Sequence, residues 1–199
     1  MPVILYACSS NPGKLNEFAL AARHSAIAGL EILPLPGMGR IATPEETGAT
    51  FQENAAIKAL YYSGFTDELV FADDSGIEVD ALGGEPGIFS ARYAGSQATD
   101  ESNNELLLTR LRHELNRHGR FACSIAVAQK ARLITTTQGT VEGEILEAPR
   151  GENGFGYDPL FFYPPLGCSF AELTGEAKFA VSHRGNALRS LFAQLELSK

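Results

Sequence analysis

The sequence predicts an α/β fold, a mixed β-sheet with flanking helices, and two observations carry that reading. In the first half of the chain, short apolar runs of strand length alternate with segments of helical spacing, each closed by Gly, Pro or Asp. In the second half, two long segments alternate apolar and polar residues as paired strands do. The 199 residues suffice for one sizeable core, or one core with a smaller lobe. No repeat, low-complexity tract or linker divides them, so residues 1–199 read as one domain with room for two lobes and a cleft.

Val3 to Ala7 has strand character and ends in the turn residues Cys8-Ser9-Ser10-Asn11-Pro12-Gly13. Leu15, Phe18, Leu20 and Ala22 then begin a helix, with Ser10 or Asn11 available as its N-cap. Leu30 to Leu35 reads as a second strand, closed by Pro34, Pro36, Gly37 and Gly39. A loop with Thr43, Pro44, Glu45, Glu46 and Gly48 leads into a helix from Thr50 to Ser63, where Phe51, Ala55 and Tyr61 or Tyr62 keep helical spacing. Leu69 to Ala72 is a continuous apolar run, as in a buried strand, and is expected to stop at Asp73-Asp74-Ser75-Gly76. After a glycine-rich stretch from Leu82 to Gly95, leucines 106, 107, 111 and 115 predict a helix over Asp100 to Arg117. Phe121 to Gln129 and Arg132 to Leu146 pair as antiparallel strands about a turn near Lys130 and Ala131. Arg150 to Tyr163 is a Gly/aromatic loop running into a strand, and a terminal helix covers His183 to Leu195.

A net charge of −8 argues against an extended nucleic-acid surface, because duplex binding rests on neutralising many phosphates. It leaves room for a small anionic substrate, since a few cations and a divalent metal can invert the local field. No apolar run approaches the roughly 20 residues of a membrane span, and the first residues lack the basic region of a signal peptide. Cys8, Cys123 and Cys168 are widely spaced and odd in number, which argues against a disulfide framework and structural zinc and suits a reducing cytoplasm.

Four blocks could carry chemistry. Ser9-Ser10-Asn11-Pro12-Gly13-Lys14 lies between a strand and a helix N-terminus, where backbone N–H groups, hydroxyls and the lysine suit phosphate. It lacks the Gly and Ser/Thr of a Walker A loop and reads equally as an ordinary cap with a solvated lysine. Asp73 and Asp74 follow a buried strand, where adjacent carboxylates are costly unless a cation such as Mg2+ offsets them. An Asx-turn at a strand end is the alternative. Gly154-Phe155-Gly156-Tyr157-Asp158-Pro159 could stack an aromatic on a base while Asp158 accepts from its N–H groups, or could be a tight turn with core aromatics. Ser182-His183-Arg184-Gly185 supplies donors for a keto oxygen or a phosphate, and equally a helix cap or ion pair.

Taken together and in order, these blocks resemble the Ham1/RdgB family of inosine/xanthosine triphosphate pyrophosphatases. The matching residues are Ser9-x-Asn11-x-x-Lys14, Glu45-Glu46-Thr47-Gly48, Phe51-x-Glu53-Asn54-Ala55 with Lys58-Ala59, and Ala72-Asp73-Asp74-Ser75-Gly76. Further on they are Leu82-Gly83-Gly84-x-Pro86-Gly87, Ser90-Ala91-Arg92-Tyr93, Gly154 to Pro159, Ala171-Glu172-Leu173 and Ser182-His183-Arg184. Ser10 departs from the glycine that many members carry, and the connection from Phe121 to Leu146 looks trimmed at its turn. The resemblance implies two lobes enclosing a nucleotide-binding cleft, a homodimer in the cytoplasm, and Mg2+-dependent hydrolysis of ITP, dITP or XTP to the monophosphate and pyrophosphate. It implies that Asp74 is the general base and, with Glu46, a metal ligand, with Asp73 and Lys58 also at the catalytic centre. Ser9, Ser10, Asn11, Lys14 and Lys58 would hold the triphosphate, and Ser75 would support the substrate near Asp74. Phe155, Gly156, Tyr157, Asp158, Lys178, His183 and Arg184 would face the base and sugar.

The chemistry is coherent on its own terms. Phosphoryl transfer asks mainly for positioning and charge stabilisation, and a carboxylate can orient or deprotonate water. Donors such as His183 and Arg184 suit a 6-keto purine and leave adenine unmatched. A pyrophosphatase for another modified nucleotide, a non-catalytic nucleotide-binding protein and a phosphate monoesterase are the competing readings.

Overall fold

The computed structural model describes residues 3–197, the side chains of 196 and 197 apart. Its strands are β1 (Val3–Ala7), β2 (Leu30–Pro34), β3 (Val70–Val79), β4 (His118–Gln129), β5 (Arg132–Ile145), β6 (Phe161–Tyr163) and β7 (Cys168–Ser169). They form one seven-stranded sheet in the order β2-β1-β3-β4-β5-β6-β7. β1 runs parallel to both β2 and β3, whereas β6 is antiparallel to β5 and β7, so the sheet is mixed as predicted. The helices are α1 (Pro12–Arg23), α2 (Phe51–Tyr62), α3 (Asp100–Arg110), α4 (Gly175–Val181) and α5 (His183–Leu197).

Local chemistry sets the helix starts. Asn11 caps α1, its Oδ1 accepting the Lys14 N–H at 3.0 Å, and Pro12 fills the first turn where no N–H is needed. Thr50 caps α2 in the same way, and Thr99 and Ser102 form a reciprocal capping box on α3.

The chain divides into two compact units. One holds the residues up to Asp74, Cys123–Gly139 and those from His183 on; the other holds Ser75–Ala122 and Thr140–Ser182. In the first, the pleat of β5 separates two partners. Thr136 and Gln138 bond Gln52 of α2, while Thr135 and Thr137 bond Gln194 and the Ala187 carbonyl of α5. Gly139 lets α5 approach: a Cβ there would lie 2.3 Å from the His183 carbonyl oxygen. Cys8, Ala55, Ala59, Tyr62, Val70 and Ala126 belong to the core on the α2 side. The second unit packs Phe121, Phe161 and Phe170 with Leu107 and Leu111.

Two expectations need correction. β3 does not stop at Ala72 but runs to Val79, so Asp73 and Asp74 lie inside a strand and no Asx-turn forms there. Cationic side chains meet both carboxylates, which removes the reason for the strand to end. The predicted helix to Arg117 stops at Arg110; Arg117 instead donates to the carbonyls of Leu111, Ile145 and Leu146, and Leu115 is left 99% exposed. Helix α4 and strand β7 were not foreseen, being seven and two residues long, too short for a periodic signal.

Candidate active site

Successive residues of a strand point to opposite faces, and this gives the two aspartates different partners. Asp73 Oδ2 lies 3.0 Å from Lys14 Nζ and accepts from the Arg184 guanidinium at 3.1 and 3.2 Å. Asp74 Oδ1 accepts from Lys58 Nζ at 3.1 Å, and the same ammonium bonds Glu46 Oε1 at 2.6 Å. Lys58 reaches both carboxylates because α2 presents it, buried, toward β3, while the loop ahead of α2 delivers Glu46. Glu45 is exposed, so Glu46 is the member of that pair turned to the cluster.

Electrostatics follow from these contacts. Burial pushes the Asp73 carboxyl up, but the charges of Lys14, Arg184 and Lys58 outweigh it and hold the group below the ordinary carboxylate range. At Asp74, burial and the nearby Glu46 charge prevail over Lys58, and the carboxyl is raised. Lys58 resists the effect of burial because Asp74, Asp73 and Glu46 hold it protonated. Asp74 Oδ2 is buried and, among the described residues, has no hydrogen-bond partner. A buried carboxylate oxygen left bare is costly, and its retention points to use.

Ser9, Ser10, Asn11 and Lys14 surround the start of α1. Ser9 Oγ accepts the Asn11 N–H at 3.2 Å, Ser10 is exposed, and Lys14 is brought to Asp73. Ser75 follows Asp74 along β3 and is half-buried. His183 is buried at the first position of α5. Arg184 is 1% exposed, with Nη1 donating to Glu17 Oε2 at 2.6 Å and Nε and Nη2 to Asp73. The donor expected to face a base is therefore committed to two buried carboxylates, which hold it protonated against the cost of its burial.

In the second unit, Lys178 of α4 bonds Asp158 Oδ2 at 2.5 Å and lies 4.6 Å from the Phe155 ring centroid. Asp158 also accepts the Phe155 N–H at 2.9 Å. Gly156 joins Phe155 to Tyr157 in left-handed backbone, φ +63°. Tyr157, expected among the substrate contacts, is packed in the core of this unit instead, and its hydroxyl donates to the Ser90 carbonyl at 2.8 Å.

The Ham1 family profile matches residues 5–194 of this chain. The chain belongs to the Ham1 family. A dITP/XTP pyrophosphatase of Acidobacterium capsulatum is 50% identical over 204 residues, covering 98% of this chain and 99% of the relative. Among solved structures, the Staphylococcus aureus Ham1 protein superposes with a TM-score of 0.86 at 41% identity, covering 98% of this chain and all of its own. The nucleoside-triphosphatase / dITP/XTP pyrophosphatase from Mycobacterium abscessus gives a TM-score of 0.73 at 38% identity, covering 94% of this chain and 98% of its own.

Among the described residues, no group of three or more His, Cys, Asp or Glu is placed to hold a metal ion. Mg2+ does not require such a cage; it is commonly held by one or two carboxylates, with waters and substrate phosphates completing the shell. Glu46 and Asp74 form that pair, and the bare Asp74 Oδ2 is the matching donor, so the residues present fit the ion. Glu17 is the site residue that sequence reasoning missed. It lies three positions after Lys14 on the same helical face, beside the apolar Phe18 and Ala21, and a lone carboxylate on a buried face was the available signal.

Proposed function

We propose that this protein hydrolyses non-canonical purine nucleoside triphosphates, dITP, XTP and ITP, to the nucleoside monophosphate and pyrophosphate, and depends on Mg2+. The observation that carries the reading is the buried Asp74, raised and with one bare oxygen, set against Lys58 and Glu46 in a Ham1 chain. Relatives that span nearly the whole chain bear the name dITP/XTP pyrophosphatase, which supports the substrate class.

In this reading Asp74 accepts a proton from the water that attacks the α-phosphorus, and pyrophosphate leaves. A raised carboxyl is the stronger base of the aspartate pair. Mg2+ held by Glu46 and Asp74 would neutralise charge on the phosphate oxygens. Lys58 stays cationic between the carboxylates and is placed to bind a phosphate oxygen, as is Lys14, with the hydroxyls and N–H groups at the start of α1. Phe155, Asp158 and Lys178 serve base recognition. Arg184 acts instead on the catalytic cluster, holding Asp73 in place. We further read the protein as a cytoplasmic homodimer on the strength of the family resemblance; sedimentation at about the 21.3 kDa monomer mass would contradict the dimer.

The deciding experiment incubates the purified protein with ITP, XTP, GTP or ATP, with and without Mg2+, and identifies the phosphorus product. Monophosphate plus pyrophosphate from ITP and XTP, with GTP and ATP nearly untouched, is expected. Inorganic phosphate as the product, or equal turnover of all four, would overturn the assignment.

A further inference from the structure

The loop that carries Phe155 and Asp158 is gripped by groups that lie outside every motif the sequence presents. Gly156 donates its N–H to Asp100 Oδ2 at 2.6 Å, and its carbonyl accepts from Asn104 Nδ2 at 2.9 Å. Both side chains belong to the first two turns of α3, and their i,i+4 spacing puts them on one helical face. The peptide units on both sides of Gly156, which sits in left-handed backbone, are thus each held through one of their polar groups.

The helix doing this is itself well anchored. The Thr99–Ser102 box closes its start, Asn103 accepts from the Ala94 N–H and donates to the Ala91 carbonyl, and Leu107 and Leu111 are in the core. Asn104 also bears a cost: its Oδ1 is buried and, among the described residues, has no hydrogen-bond partner. A side chain selected only for stability would avoid that loss, since an orphaned buried acceptor is unfavourable. On the far side of the glycine, Asp158 holds the Phe155 N–H and Lys178, and Lys178 lies against the Phe155 ring. The aromatic is therefore fixed from two directions, by Asp158 and Lys178 within the site and by α3 outside it.

We propose that Asp100 and Asn104 are specificity-positioning residues: by fixing the Gly156 backbone they set the pose of Phe155 and Asp158, and so the discrimination between purine bases. This rests on the reading of that loop as the base-recognition element. It assigns the two residues no contact with the reacting atoms, so their loss falls on KM and on base choice, leaving kcat largely intact. Misplacing a recognition group by a fraction of an ångström to an ångström is enough to cost about ten- to a hundredfold.

The test measures kcat and KM for ITP and GTP with Asp100→Ala, Asn104→Ala and Asp100→Asn. Glu101→Gln serves as a control that removes a neighbouring first-turn charge. The alanine variants are expected to raise KM for ITP about tenfold and to narrow the ITP-to-GTP ratio of kcat/KM similarly, with kcat changed less than about threefold. Asp100→Asn keeps an acceptor for the Gly156 N–H and should restore the ratio, and Glu101→Gln should not disturb it. Hydrogen exchange at the Gly156 amide should quicken in Asp100→Ala and stay slow in Asp100→Asn, a readout that stands even if Asn104→Ala folds poorly. Phe155→Ala separates the two levels of the argument. If it collapses the ratio while Asp100→Ala and Asn104→Ala leave it intact, the positioning role is overturned and base reading by the loop survives. If Phe155→Ala itself leaves the ratio unchanged, the base-reading assignment fails, and the positioning role falls with it.

Discussion

Asp73 and Asp74 are neighbours in sequence with opposite shifts in acidity, and the pleat of β3 is the cause. One face offers Lys14 and Arg184, the other Lys58 shared with Glu46. The ionised Asp74 is thus a local liability retained for chemistry. Asp74→Asn should cut turnover by about 10²- to 10⁴-fold, the usual worth of a general base. The same change should hold or raise the melting temperature, because a neutral amide does not incur the burial cost of the charge. Pyrophosphate release and calorimetry on one preparation check both, and a fall in melting temperature would assign Asp74 a structural role. Arg184 is the opposite case. Arg184→Met removes the guanidinium that both Glu17 and Asp73 bond in the interior and should cost about 3–5 kcal/mol by urea unfolding. Glu17→Gln in the same chain should recover part of that loss, since it neutralises one of the two buried carboxylates that Arg184 had balanced; strict additivity would show that the two residues are not coupled.

At the scale of elements, the sequence was most legible where caps and periodicity agree. Asn11, Thr50 and the apolar spacing behind them place α1 and α2, and β1 and β2 follow from short runs closed by turn residues. It was least legible where a distant residue decides. The end of α3 depends on Arg117, whose guanidinium takes the Leu111 carbonyl, and no local pattern announces that. The β4–β5 turn was foreseen in place but not in strain: Lys130 and Ala131 both have positive φ, 50° and 56°. Two-residue hairpins favour this backbone, but a Cβ in it costs energy that glycine avoids. Ala131→Gly should therefore stabilise the protein by about 1 kcal/mol, less the small entropy that glycine loses on folding. A lower midpoint of urea unfolding would show that the Ala131 side chain makes contacts worth more than the strain it causes.

For the whole molecule, the motif blocks were legible in the sequence, while the connections among their charges were not. The family resemblance placed Asp73, Asp74, Lys58 and Lys14 in one functional group. Local pattern could not show that Arg184 is locked between Glu17 and Asp73, because those partners are separated by most of the chain. These connections set how the protein responds to acid. Asp73 has a lowered folded-state pKa, so its contribution is present above the unfolded value near about 4 and is lost as pH falls through the folded one. Glu101 and Glu172, held low by backbone N–H groups, act in the same direction. Asp74 has the opposite sign. Its carboxyl is raised, so protonation on the way down relieves a cost and adds stability until the unfolded value is reached. Acidification should therefore separate function from fold. Activity falls first, as Asp74 takes up a proton, while the melting temperature of the Mg2+-free protein holds or rises; below about pH 4 that melting temperature then drops as Asp73 is protonated. Parallel pH titrations of pyrophosphate release and of melting temperature would expose the gap between the two curves. In Asp74→Asn the upper step in melting temperature should vanish and the lower one remain. Coincident loss of activity and fold in the unmodified protein would mean that the two aspartates are not divided between catalysis and stability as their partners imply.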